Sequence, residues 1–183
     1  MKKIFYIVLS VLIACTLCSC DLFDDDDDDQ EGASSSGAGT VAPTEIRISA
    51  FSFDCTSNWT NRDGALGLKA YSGSGSCQTA FSGASATYQI QVKAQTEHDG
   101  APPYSVSING TTVKAGRYPY ATGRLVCNCS GDECSDRNTY LDIGTFQVNT
   151  DDIIKFTGDQ VFPCGKEHGA YAKWHEMVFT PVE

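Results

Sequence analysis

From Pro43 to the end of the chain, apolar side chains recur at every second position in short runs, and Pro, Gly, Asn or Asp falls between nearly every pair of runs. Successive side chains of an extended strand point to opposite faces, so this period turns one set inward and the other to water; a helix needs apolar positions three and four apart. The clearest run is Thr87 to Gln95, where Tyr88, Ile90, Val92 and Ala94 alternate with Gln89, Gln91, Lys93 and Gln95. Tyr104, Val106 and Ile108 repeat the pattern. Asn109-Gly110 then supplies two residues that tolerate the positive φ of a type I′ turn, and Thr111 to Lys114 returns as the second arm of a hairpin. Tyr140 to Val148 reads as a strand whose phase shifts at Gly144, where a bulge lets Leu141, Ile143, Phe146 and Val148 share one face. Asn149 to Asp151 turns the chain into a strand at Asp152 to Thr157, and Tyr171 to Thr180 is the last. In that final strand, alternation sends Tyr171, His175, Met177 and Phe179 one way and Trp174 the other. Earlier, Glu45 to Phe53 and Gly67 to Tyr71 are expected strands, with a weaker one at Ala80-Phe81. Strand after strand with turn residues between predicts an all-β fold, an antiparallel β-sandwich, and argues against βαβ winding.

The N-terminus has a different character. Lys2 and Lys3 precede an uncharged run from Ile4 to Ser19, whose 16 residues fall short of the roughly 20 needed to span a bilayer but suit the apolar segment of a signal peptide. The run ends in Leu17-Cys18-Ser19-Cys20, which resembles the lipobox of bacterial lipoproteins. Leu12-Ile13-Ala14-Cys15 fits the same pattern, but Cys20 leaves a fuller apolar segment before cleavage. The resemblance implies a signal peptide at 1–19, lipidation of Cys20 and attachment to a bacterial membrane, at the outer membrane or cell surface, through lipid alone. Residues 20–42 carry eight acids, six of them the run Asp24 to Asp29, and no base; a Gly/Ala/Ser stretch follows. Like charges that cannot pack and a flexible coil beyond them read as a tether holding the domain, 43–183, clear of the lipid. Acids just behind a lipidated Cys also resemble surface-export signals of some Gram-negative lipoproteins.

Setting Cys20 aside, six cysteines remain in an exported chain: Cys55, Cys77, Cys127, Cys129, Cys134 and Cys164. Disulfides are the expectation, with fifteen connectivities open. The preferred set is 55–77 and 127–164, which leaves 129–134 as a small loop. A zinc site built from Cys127, Cys129, Cys134, Cys164 and His168 is the competing reading, but it lacks the paired C-x2-C hooks of common zinc folds.

The order of Tyr88-x-Ile-x-Val, Tyr104-x-Val-x-Ile-Asn-Gly, Thr122-Gly123, Leu141-x-Ile-Gly-x-Phe-x-Val, Asp152-x-Ile-x-Phe and the closing Gly169 to Pro181 resembles the galactose-binding-like jelly roll of many carbohydrate-binding modules. It covers most of 43–183. The resemblance implies a jelly roll that binds a glycan or polysaccharide and catalyses nothing. The family's last strand often carries an Asp that helps hold a structural calcium; His175 falls near that place here, so the resemblance leaves calcium open and no other cofactor is expected.

Residue chemistry points the same way. With 15 acids against 11 bases in 43–183, the domain repels phosphate backbones, which excludes nucleic acid as a natural partner. His98, His168 and His175 lack any G-x-S-x-G or H-E-x-x-H context, and His98-Asp99 before Gly100 reads as solvated loop. A sugar presents apolar C–H faces ringed by hydroxyls, so its receptor needs aromatic platforms beside polar groups. Ser57 to Asp63 offers Trp59 and Asn61; Gly116 to Tyr120 offers Arg117, Tyr118 and Tyr120 around Pro119; Trp174 in the last strand is a further candidate. The alternative is a structural or protein-interaction lipoprotein whose sandwich meets another envelope component.

Overall fold

The computed structural model describes residues 42–183. The signal peptide, Cys20 and the tether up to residue 41 lie outside the described residues. Eleven strands follow in order: β1 (Ile46–Ser49), β2 (Asp54–Cys55), β3 (Trp59–Arg62), β4 (Ala65–Leu68), β5 (Gly75–Ala80), β6 (Ala86–Thr96), β7 (Pro103–Ile108), β8 (Thr111–Arg117), β9 (Arg137–Val148), β10 (Ile153–Gly158) and β11 (Trp174–Pro181). One sheet runs β3-β4-β11-β6-β9, with β1 also on β11; the other runs β2-β5-β10-β7-β8. Every pairing is antiparallel. The two sheets face one another as a β-sandwich of jelly-roll type.

The alternation in β6 does what period two requires. Tyr88, Ile90, Val92 and Ala94 are fully buried, while Gln89, Gln91, Lys93 and Gln95 reach the outer face. Phe156 of β10 and Trp174 of β11 meet across the sandwich at 4.6 Å between centroids, and Phe53 closes edge-on against Trp174 at 5.0 Å. The Asn109-Gly110 turn forms with both residues at positive φ. In β9 the register steps from Ile90↔Gly144 to Gln91↔Asp142, a bulge at Gly144 that leaves Leu141, Ile143 and Val148 buried and Phe146 against the core.

Five expectations need correction. Gly67 to Tyr71 is not one strand: β4 ends at Leu68 and Tyr71 lies in the following turn at φ 59°. Glu45 to Phe53 is not one strand: Ser49 Oγ accepts from Phe51 N at 3.3 Å, and a short 3₁₀ turn at Ala50–Ser52 carries the chain from one sheet to the other. Ala80 is the last residue of a longer strand, β5, and Phe81 lies just beyond it. The segment read as a polar loop around Trp59 is β3, joined to β4 by Asp63-Gly64, both at positive φ. And Trp174 does not point away from Met177 and Phe179: a register shift between Trp174 and Glu176 inserts one residue, so all three are buried together.

The cysteines pair as Cys55–Cys77, Cys127–Cys164 and Cys129–Cys134, the set preferred from the sequence. The first joins directly opposed residues of β2 and β5; the second ties the β8–β9 loop to the β10–β11 loop.

Candidate functional site

Four loops leave the same end of the sandwich: 69–74 after β4, 97–102 after β6, 118–136 after β8 and 159–173 after β10. The pairings Thr96↔Arg137, Pro103↔Arg117 and Tyr104↔Gly158 place them there. Leu68 N donates to Tyr171 O at 3.0 Å, Ala121 N to Glu97 O at 3.0 Å and Val126 N to His98 O at 2.9 Å, so the loops are stitched to each other.

The aromatic residues singled out in the sequence are not its platform. Trp59 is 7% exposed, Tyr118 2% and Trp174 not at all; each ring lies in the core, where its area is worth more against other apolar atoms than against water. Tyr118 meets Tyr104 edge-on at 5.7 Å and Trp59 meets Phe156 at 6.1 Å. Tyr120 is half-buried in its loop. Asn61 is exposed in β3 and accepts from Gly64 N at 3.0 Å, a turn contact. Arg117 is exposed at the end of β8 and donates to Ala101 O at 3.0 Å. These residues do not converge on one exposed face.

A different set does. Tyr71, 58% exposed, stacks on Phe162 with centroids 5.0 Å apart and planes 15° from parallel. Phe162 in turn meets Tyr171 edge-on at 6.0 Å, and the Arg62 guanidinium lies 4.0 Å over the Tyr171 ring. Burial pushes the Tyr171 phenol above its usual range, with Arg62 working against that rise. Tyr71 sits at φ 59°, a left-handed conformation that costs a non-glycine residue of order 1–2 kcal/mol. It is held there by local bonds: its hydroxyl donates to Lys166 O, and the Gln160 amide donates to Lys69 O at 2.6 Å, Ser72 Oγ at 3.0 Å and Gly73 O at 3.2 Å. Gly169 makes the cluster possible, since a Cβ there would stand 2.3 Å from Phe162 Cε1.

At the same end of the sandwich is a groove of about 200 Å³ lined by Ser74, Pro103, Tyr104, Ser105, Thr157, Gly158 and Asp159. Enclosed small-molecule sites measure roughly 300–1,000 Å³, so the groove suits one side of a longer ligand. A more polar pocket of about 240 Å³ lies between Thr122, Arg124, Val126, Glu133 and Arg137, without an aromatic wall. Asp99, expected to be solvated, is 8% exposed, and its Oδ1 has no hydrogen-bond partner.

The sequence did carry a sign of Tyr71: it is the lone aromatic before Ser72-Gly73-Ser74-Gly75, the same kind of setting that drew attention to Trp59. Phe162 had no such mark, because its role depends on a loop fold that alternation does not report.

Among the described residues, the one cluster of three metal-ligating side chains is His98, Cys129 and Cys134. Both sulfurs are in a disulfide, which removes the thiolates a zinc ion would need. No cluster of carboxylates among the described residues fits the calcium left open by the resemblance.

No protein-family model matches the chain, and no curated protein matches it either. Solved structures do. The CBM36-1 domain of a multidomain xylanase from the hindgut metagenome of Trinervitermes trinervoides is similar over 76% of this chain and 99% of its own, at 12% identity and a TM-score of 0.51. The insecticidal crystal protein Cry2Aa matches over 75% of this chain and 21% of its own, at 14% identity and a TM-score of 0.52. The GH26-CBM35 β-(1,4)-mannanase of Podospora anserina matches over 76% of this chain and 28% of its own, at 14% identity and a TM-score of 0.50. At such identities the likeness is one of fold, and the fold is a carbohydrate-binding-module jelly roll that an insecticidal protein also contains. Function has to be argued from the site.

Proposed function

We propose that the chain is an envelope lipoprotein, anchored through Cys20, whose sandwich domain binds a glycan without catalysis at the loop end built on Tyr71, Phe162 and Tyr171. The observation that carries this reading is Tyr71: an aromatic residue more than half exposed, held in an unfavourable backbone conformation by several hydrogen bonds and backed by a second ring. A stacked ring leaves its outer face for the C–H face of a sugar, while the groove walls Ser74, Ser105, Thr157 and Asp159 offer acceptors and donors to the hydroxyls. The jelly-roll likeness to modules of a xylanase and a mannanase supports the same class of ligand.

Affinity electrophoresis through a panel of neutral and acidic polysaccharides tests it. Retardation of the wild-type protein, reduced about tenfold in affinity by Tyr71→Ala, is the expected result; a tenfold loss equals about 1.4 kcal/mol, within reach of one aromatic contact. A wild-type protein that moves freely through every polysaccharide would reject the glycan reading and leave the protein-interaction alternative.

A further inference from the structure

Glycan binding makes no use of the most deeply placed amine among the described residues. Lys173 is 5% exposed. Its stem crosses β4 over Gly67, where a Cβ would come within 3.0 Å of Lys173 Cγ, and its backbone carbonyl is pinned by Gln95 N at 3.0 Å. Nζ lies 2.7 Å from Asp136 Oδ2 and 2.8 Å from Glu97 Oε1, the three side chains being 7%, 25% and 9% exposed. The second Glu97 oxygen accepts from Tyr171 N at 2.7 Å, which fixes the carboxylate. Asp136 Oδ2 accepts a second bond, from Gln95 Nε2 at 3.0 Å. One ammonium is thus shared by two carboxylates in a site nearly closed to water.

We propose that Lys173 and Asp136 condense to an intramolecular isopeptide bond, with Glu97 as the catalytic proton carrier. The step balances without any co-reactant. Lys173 passes a proton from its ammonium to Glu97; the free amine attacks Cγ of Asp136, forming the C–N bond; one carboxyl oxygen leaves as water, carrying two protons delivered through Glu97; and Glu97 ends in its starting state. An ammonium and a carboxylate become a neutral amide and one water.

Three features of the site favour it. Atoms held at hydrogen-bond distance in a fixed orientation are already near the roughly 3–3.5 Å from which bonds form, so little entropy is left to lose. The Gln95 amide, which donates to Asp136 Oδ2 at 3.0 Å, draws electron density from the Asp136 carboxyl carbon and stays in place to stabilise the tetrahedral intermediate once the amine has attacked. Burying one cation with two anions is costly, and condensation removes a charge of each sign. Burial also pushes the Glu97 carboxyl above its usual range, against the pull of Lys173, which suits a group that must accept and return a proton. The link would join the end of the β8–β9 loop to the start of β11, the same two loop systems that Cys127–Cys164 connects, with a bond that thiols cannot open.

Tryptic mapping of the reduced and alkylated wild-type protein decides the matter. An isopeptide at Lys173 blocks cleavage there, so peptide 125–137, which contains Asp136, should appear joined to peptide 167–183, lighter than their sum by one water. Glu97→Gln, close in shape and able to keep the bond from Tyr171 N, should yield the two sequences unlinked in a protein with an unchanged β-sheet spectrum. Recovery from the wild-type protein of free peptide 125–137, together with a peptide beginning at Trp174, and of no linked species would overturn the proposal. A link that persists in Glu97→Gln would overturn the role given to Glu97.

Discussion

Tyr118 holds a phenol in the core with no partner for its hydroxyl, and burial pushes its pKa well above the ordinary 10.0. The folded state therefore keeps the phenolic proton more tightly than the unfolded chain does. The stability linked to it is complete below the unfolded value and is lost as pH rises past it toward the folded one. Tyr118→Phe removes a desolvated hydroxyl that bonds nothing, so it should raise stability at neutral pH by about 1 kcal/mol and make the alkaline loss shallower. Urea unfolding at about pH 8 and about pH 11 measures both effects. Trp59 and Tyr71 should separate in the opposite sense. Trp59→Ala empties a core site filled against Gly75, Gly158 and Phe156 and should cost about 3–5 kcal/mol, whereas Tyr71→Ala should change stability by less than about 1 kcal/mol while removing the platform.

At the scale of elements, much of the fold was legible wherever a strand buried several residues on one side. β6 and the β7–β8 hairpin announced themselves because alternation and an Asn-Gly turn agreed, and the bulge at Gly144 was visible because alternation changed phase there. β3 was not legible in the same way. Trp59 is the only large apolar residue of Trp59–Arg62, so no alternation exists to be seen, and its polar neighbours made a buried indole look like a loop aromatic. The Asp63-Gly64 pair was the available sign of that hairpin. In β11 an inserted residue reversed the face of Trp174, a shift set by pairing with β6 and absent from local pattern. Two substitutions test these elements. Asn109→Ala should lower the melting temperature, because Asn109 takes the left-handed turn position, donates to Asp152 at 2.7 Å and accepts from Ile153 N at 2.8 Å. Gly169→Ala should displace Phe162 and weaken glycan retention with little change in the sheet spectrum, which circular dichroism beside affinity electrophoresis would register.

Across the whole molecule, the sandwich and the loop end have different supports. The sheets rest on a continuous apolar core; the platform rests on short loops, hydrogen bonds and the Cys127–Cys164 bridge. Closing a loop of that size stabilises by roughly 3–4 kcal/mol in the chain-entropy account, and here it also holds the β10–β11 loop that carries Phe162. The proposed site was less legible than the fold: aromatic residues among polar ones pointed to rings on the loops, but which rings stay exposed depends on which of them the core claims first. The most direct test is a side-by-side affinity measurement of the wild-type protein, Tyr71→Ala and Tyr140→Ala on the polysaccharide that retards the wild type most, since Tyr140 is also 47% exposed but lies on the outer face of a sheet. A loss of about tenfold or more with Tyr71→Ala, and none with Tyr140→Ala, is the result expected; equal binding by all three proteins would contradict the loop-end site.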